Sequence, residues 1–229
     1  MFLRTISSSK KQGIYRFLGI LTSTLASLIW LGTIVALFAL WGGEDDFTRY
    51  EYDDGEVPYI SNVGARHKTV FVVGTSFTAV FFILTLIFTK LCFDAETRRR
   101  LKRGVSMTSI IFGIFAGISL VLLSVFDSVD HSTIHFVFTG LFTAFTLLSA
   151  IFSTIYRFSR NEINLAVYIR VLFISIVIPL AVCFIVFSLI KRPTDQTQLL
   201  SVAASFEWTI AILFVVYLIL FALDLILSV

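Results

Sequence analysis

Four residues in the segment FDSVDHSTIH, Asp127, Asp130, His131 and His135, are of the types that move protons or hold metals. Asp127, His131 and His135 recur at i, i+4 and i+8, which places one carboxylate and two imidazoles on a single stripe if the stretch is helical. Such a stripe could bind Zn²⁺ or relay a proton. The same residues could equally serve structure, because Asp130 is a favourable helix N-cap type and Asp127 can pair with a neighbouring imidazole. No Cys or third nearby His completes a metal set. No metal and no other cofactor is expected.

Three further clusters carry polar chemistry. Glu207 and Trp208 lie about two turns into a later apolar run, where an ionisable Glu is costly unless it faces a protein interior and a partner. His131, His135, Arg66 and His67 are the partners at matching depth. Paired there, Glu207 and Trp208 would join Asp127, Asp130, His131 and His135 in an outward-facing polar pocket; otherwise Glu207 snorkels beside an interfacial Trp. Upstream, Pro58 sets an extended lead-in, and Asn62 with Gly64 favours a turn. Tyr59, Ser61 and Gly64 would then belong to a lid over that pocket, or to an ordinary connecting loop. Finally, Arg98, Arg99, Arg100, Lys102 and Arg103 form a basic cluster suited to anionic phospholipids, each residue contributing about 1 kcal/mol near a membrane surface.

Membrane-spanning helices must position these groups. Of 229 residues, 57% are hydrophobic, 14% are charged and 25 are Phe, and the mean hydropathy is +0.93. That leaves too little polar surface for a water-soluble globule. Six apolar runs, roughly 14–41, 69–92, 105–126, 133–156, 166–190 and 201–228, each reach the length of about 20 residues that a helix needs to cross hydrocarbon. They are too long and unbroken for barrel strands. The expected fold is all-α, a single six-span membrane domain over residues 1–229. The first run is far longer than a signal-peptide core and reads as an uncleaved span.

Lys and Arg counts set the orientation. One side holds 13: Arg4, Lys10, Lys11, Arg16, Lys90, Arg98, Arg99, Arg100, Lys102, Arg103, Arg157, Arg160 and Arg170. The other holds five: Arg49, Arg66, Lys68, Lys191 and Arg192. Both termini are therefore expected in the cytosol, with the His/Glu clusters outside and the basic cluster inside. Cys92 falls near the inner end of the second span and Cys183 within the fifth, so neither is placed for a disulfide. Cys92 is a palmitoylation candidate or a small buried hydrophobe. Ser109, Gly113 and Gly117 give the third span a small-residue stripe for close helix contact, and Pro179 should kink the fifth. Asp224, deep in the sixth span, needs a polar partner that the sequence does not single out. No nucleic-acid partner is expected, since the net charge of +3 follows from topology.

Taken in order, PYISNVGA, FDSVDHSTIHFVFTGLF and SFEWTIAILFVVYLILFALDL resemble one family of six-span proteins. It comprises the FGF-receptor-activating protein, the damage-regulated autophagy modulators (DRAM) and the yeast Sfk suppressors of phosphatidylinositol 4-kinase defects. The resemblance covers nearly the whole chain and marks Tyr59, Ser61, Gly64, Asp130, His131, His135, Glu207 and Trp208. It implies membrane organisation rather than catalysis: lipids, anionic phospholipids or sterol among them, and subunits of a phosphatidylinositol 4-kinase complex as partners. The plasma membrane is implied first, with the vacuole or lysosome as alternative. A lipid-remodelling enzyme of the GPI-anchor type, using the outer Asp, His and Glu as acid-base pair, is the second reading. A transporter or scramblase is the third, although no spans are interrupted at matching positions in the two halves. Sfk-type members also carry a cytosolic tail after the sixth span, whereas this sequence ends at Val229.

Overall fold

The computed structural model describes residues 2–50, 55–94, 100–189 and 197–227. Long apolar runs, with no charge near their centres, leave the backbone no hydrogen-bond partner in lipid except itself, so they close into helices. There are seven among the described residues: α1 (Phe2–Gly43), α2 (Ile60–Arg66), α3 (Lys68–Asp94), α4 (Arg100–Val125), α5 (Ser132–Ser159), α6 (Leu165–Leu189) and α7 (Thr197–Leu227). All but α2 are long and apolar enough to cross a membrane, with spans at Lys10–Gly43, Lys68–Phe93, Lys102–Val125, Ser132–Ser159, Leu165–Ser188 and Gln198–Leu227. The six expected spans are present, and the protein is an integral membrane protein.

The spans form a ring in chain order. Each packs on its sequence neighbours, and α7 returns to α1. Loosest of these seams is the one between α5 and α6. Aromatic side chains fill the centre: Phe142 meets Phe214 edge-on at 4.9 Å, Phe173 stacks on Tyr217 at 5.3 Å, and Phe82 touches Phe214, Tyr217 and Phe221. Helix α6 is peripheral, with only 17% of its membrane window buried against 56% for α7.

Lipid tails are as apolar as Leu, so helices in lipid associate through close packing and interhelical hydrogen bonds. Both are visible. Ser23 on α1 donates to the Leu218 carbonyl of α7 at 2.6 Å and accepts from the Ala222 amide at 3.1 Å. Trp30 Nε1 donates to Ala211 O at 2.8 Å. Thr85 on α3 donates to Thr22 on α1 at 3.0 Å, and Thr75 meets Ser124 on α4 at 2.7 Å. The small-residue stripe of α4 serves two neighbours. Ser109 and Ser149 on α5 each donate to the other's carbonyl, and Tyr217 of α7 donates to Ser149 Oγ at 2.8 Å. Gly113 and Gly117 instead make room for Leu86 and Ile83 of α3.

Among the glycines, the closest approach is at Gly74, where a Cβ would lie 2.1 Å from Thr33 Oγ1 and 2.9 Å from its Cβ. Thr33 cannot swing away cheaply, because its hydroxyl is bonded to Ile29 O and its residue is buried. A Gly74→Ala substitution should therefore destabilise by about 1 to 3 kcal/mol through overpacking. Gly140→Ala, at a position with nothing within 4 Å, should leave the thermal midpoint in detergent unchanged or slightly raised.

Candidate functional site

The outer end is closed by a roof rather than a loop. Residues 60–66 were expected to turn at Asn62 and Gly64, yet they form the helix α2, with Ile60, Ser61, Asn62, Val63 and Gly64 all buried. Burial of Ile60 and Val63 against the bundle stabilises a helix too short to stand alone. Gly64 is required for proximity, since a Cβ there would meet the Phe71 ring at 2.5 Å. Helix α2 and the segment leading into it are bonded down from three directions. Trp208 Nε1 on α7 donates to Pro58 O at 3.0 Å, Ser201 Oγ accepts from the Glu56 and Val57 amides, and Ser128 donates to Asn62 Oδ1 at 2.6 Å. Tyr59 lies edge-on to Phe184 of α6 at 6.3 Å.

Beneath this roof is a partly open cavity, about 480 Å³ with the space open to the outside included, lined by Trp30, Ile60, Leu120, Leu123, Thr139, Phe142, Thr143, Phe184, Glu207, Ile210 and Ala211. It lies at the loose α5/α6 seam, and its polar groups are Glu207 and the two Thr hydroxyls. The residues expected to form one outer polar pocket do not all come together here. The stripe of Asp127, His131 and His135 is broken, because α5 begins at Ser132 and the chain before it is a turn. Asp127 caps that turn in place of Asp130: its Oδ1 accepts from the amides of Val129 at 3.2 Å and Asp130 at 2.7 Å. Its Oδ2 accepts from Lys68 Nζ at 2.5 Å, tying the hairpin to the start of α3. Asp130 and His131 are exposed, His131 resting edge-on against Phe126. His135 is buried, and its Nδ1 donates to the carbonyls of Leu123 at 2.6 Å and Phe126 at 3.0 Å, satisfying the end of α4.

The partners foreseen for Glu207 are engaged elsewhere. His67 Nε2 lies 2.9 Å from Asp45 Oδ2, and Arg66 lies 3.8 Å from Oδ1 of the same carboxylate. Among the described residues no group of three or more His, Cys, Asp or Glu could hold a metal. Burial disfavours the charged forms of Asp45 and Asp127, but bonds from Tyr50 and His67 to the one, and from Lys68 and two amides to the other, outweigh it. Both carboxyls are held below the usual carboxylate range.

At the inner end sits a cluster the sequence reading missed. Arg170 on α6 and Asp224 on α7 are fully buried, and Arg170 Nη2 donates to Asp224 Oδ2 at 2.5 Å. Arg157 at the end of α5, itself 2% exposed, approaches the same oxygen at 3.4 Å and donates to Glu162 at 2.7 Å. The Phe93 ring of α3 lies 4.1 Å beneath its guanidinium, a favourable desolvated cation–π geometry. Arg160 completes the group with a 2.6 Å bond to Glu162. Three spans and one connection are thus joined through charge. Arg157 and Arg170 read in the sequence as topological loop charges; their depth, matching that of Asp224 from the inner ends, was the available signal. Of the basic cluster, Arg98 and Arg99 lie outside the described residues, as does the side chain of Arg100. Lys102 donates to Ser159 O and Arg103 is exposed.

Residues 19–228, which include the roof, the outer cavity and the inner charge cluster, match the family described as Frag1/DRAM/Sfk1/Cwh43P N-terminal domain. The chain belongs to this family. It is 26% identical over 234 residues to "Protein sfk1" of Schizosaccharomyces pombe, across 98% of this chain and 69% of that protein. No solved structure matches it. Family membership agrees with the resemblance carried by the order of the outer motifs; the geometry adds that Tyr59, Ser61, Gly64 and Trp208 build one roof, while His135 serves the end of α4.

Two measurements check this geometry. Removing one partner of the buried pair, as in Asp224→Ala, should cost about 3 to 5 kcal/mol, and the double substitution Arg170→Met with Asp224→Leu should recover most of it. For Asp127, the lowered pKa means its stabilisation is present at neutral pH and disappears as pH falls through the folded-state value. Thermal unfolding from about pH 7 to pH 3 should therefore show a shallower acid-side decline in Asp127→Asn than in the unaltered protein.

Proposed function

We propose that this protein is a non-enzymatic membrane protein that organises lipids by holding the apolar portion of one lipid, an acyl chain or a sterol, in the outer cavity. One observation carries the reading: a partly open, mostly apolar space under a roof bonded to α7 and to the α4–α5 turn. Its composition, apolar walls with few polar groups, matches that of small-molecule sites. Thr139 and Thr143 donate to backbone carbonyls, leaving lone pairs that can accept from a lipid hydroxyl, as can the Glu207 carboxylate. Against acid-base catalysis by the outer carboxylate stands the commitment of Asp127 to Lys68.

The family likeness extends this reading to the cytosolic face. There the basic segment around Lys102 and Arg103, on the plasma membrane's inner surface, would hold anionic phospholipids and subunits of a phosphatidylinositol 4-kinase complex. The cavity is tested first. Reconstituted with photoactivatable sterol and fatty-acyl probes, the protein should be labelled at Thr139, Thr143 or Phe184, and Thr143→Trp, which fills the cavity, should reduce labelling several-fold. Labelling spread evenly over lipid-facing residues such as Phe115, and unchanged by Thr143→Trp, would contradict the proposal.

A further inference from the structure

Helix α6 turns one face to the bundle, burying Phe173, Val177 and Ala181, and the opposite face to lipid. Val171, Ser175, Pro179 and Val182 share that outer face, on an arc of about 80° at 3.6 residues per turn, and all four are exposed. Two of them are out of place in hydrocarbon. Pro179 lies inside the helix and has no N–H, so the carbonyl of Ser175, one turn earlier, lacks its helical donor. Ser175 itself carries an exposed hydroxyl, which donates to Val171 O at 2.9 Å. That carbonyl already accepts from the Ser175 amide in the helix ladder, so the hydroxyl can be drawn away without leaving Val171 O unsatisfied.

Depth decides what can satisfy the Ser175 carbonyl. Ser175 and Pro179 lie in the middle third of the span Leu165–Ser188. At 1.5 Å per residue, Ser175 stands about 15 Å from the nearer end, which is half of a hydrocarbon core of about 30 Å. Hydroxyls and amides of lipids, and the water around them, stay in the headgroup region, and an unsatisfied backbone group among acyl chains is costly. The neighbours on this face of α6, Val171, Ile178 and Val182, carry no side-chain donor. A donor that reaches the bilayer centre comes from another spanning helix, and bonds of that kind help helices associate in lipid.

Two copies related by a two-fold axis along the membrane normal present the same residues to each other at the same depth. We propose that this face of α6 docks on the same face of a second copy, the Ser175 hydroxyl of each chain donating to the Ser175 carbonyl of the other. One residue then supplies both donor and acceptor at one depth, so the match is self-complementary; any other partner would have to bring a hydroxyl to that same level. All four side chains are short, which lets the two backbones approach. The docking does not depend on what the outer cavity holds, because Phe184, which lines that cavity, lies on the far side of α6 from Ser175.

Cysteine cross-linking of the full chain, carrying Cys92→Ala and Cys183→Ala and reconstituted in liposomes at low protein-to-lipid ratio, tests this with copper phenanthroline as oxidant. Val171→Cys and Val182→Cys should each give a disulfide-linked dimer. Ile176→Cys, exposed but about 100° around the helix from Ser175, and Phe115→Cys on α4 should not. Ser175→Ala removes the donor, and Pro179→Ala returns an N–H to the Ser175 carbonyl. Each should lower the dimer yield several-fold, and the two together should lower it no further than one alone. Both changes sit on a lipid-facing surface, and a thermal midpoint in detergent at or above that of the unaltered protein shows that each variant is folded. Equal cross-linking through Ile176→Cys or Phe115→Cys overturns the proposal, as does a dimer yield that neither Ser175→Ala nor Pro179→Ala changes. A monomer at every protein-to-lipid ratio overturns it too, and assigns the face to a different spanning helix.

Discussion

The ion pair between Arg170 and Asp224 is the constraint on which the inner half of this bundle depends. A charge in hydrocarbon without a counter-charge costs several kcal/mol, so α6 and α7 are stable in the membrane only when these side chains meet. Arg157 joins them from α5, and Phe93 from α3 flattens against Arg157. Four of the six spans therefore converge on one small volume. The pairing is weak as a source of net stability, because desolvating three charges offsets much of the attraction. Its consequence is specificity: together with the Phe173–Tyr217 stack, it fixes the depth and rotation of the peripheral α6 against α7.

The outer half is held by a different kind of contact. Neutral hydrogen bonds from Trp208, Ser201 and Ser128 hold the roof, and the paired carboxylates Asp45 and Asp127 anchor its flanks to His67 and Lys68. Such bonds are individually modest, about 1 kcal/mol each, and they act together with the burial of Ile60 and Val63. The proposed route of a lipid into the outer cavity is from the side, at the seam where α5 and α6 touch least.

Much of this fold was legible in the sequence because the membrane imposes it. Long apolar runs, alternating with charge, dictated six spans, and the order of three polar motifs was enough to indicate the family. Failures share one cause: they depend on contacts between residues far apart in the chain. Helix α2 has a glycine and no cap, and it exists because the bundle buries it. Asp127 was read with its neighbours His131 and His135, whereas its partner Lys68 lies 59 residues away. The same holds for Asp224 and Arg170, 54 residues apart. Arg170 was masked further by its usefulness, since a cation near a cytosolic end already has an explanation in topology. Local periodicity carries no information about such pairs.

The central claim is that the roofed outer cavity holds the apolar part of a lipid. A density map of the protein purified in nanodiscs of native membrane lipid tests it most directly. The account predicts continuous elongated density reaching from the α5/α6 seam past Thr143 and Phe184 to Glu207, beneath an ordered α2. A well-resolved roof above a cavity that is empty, or collapsed by inward movement of Phe142 and Phe184, would contradict it.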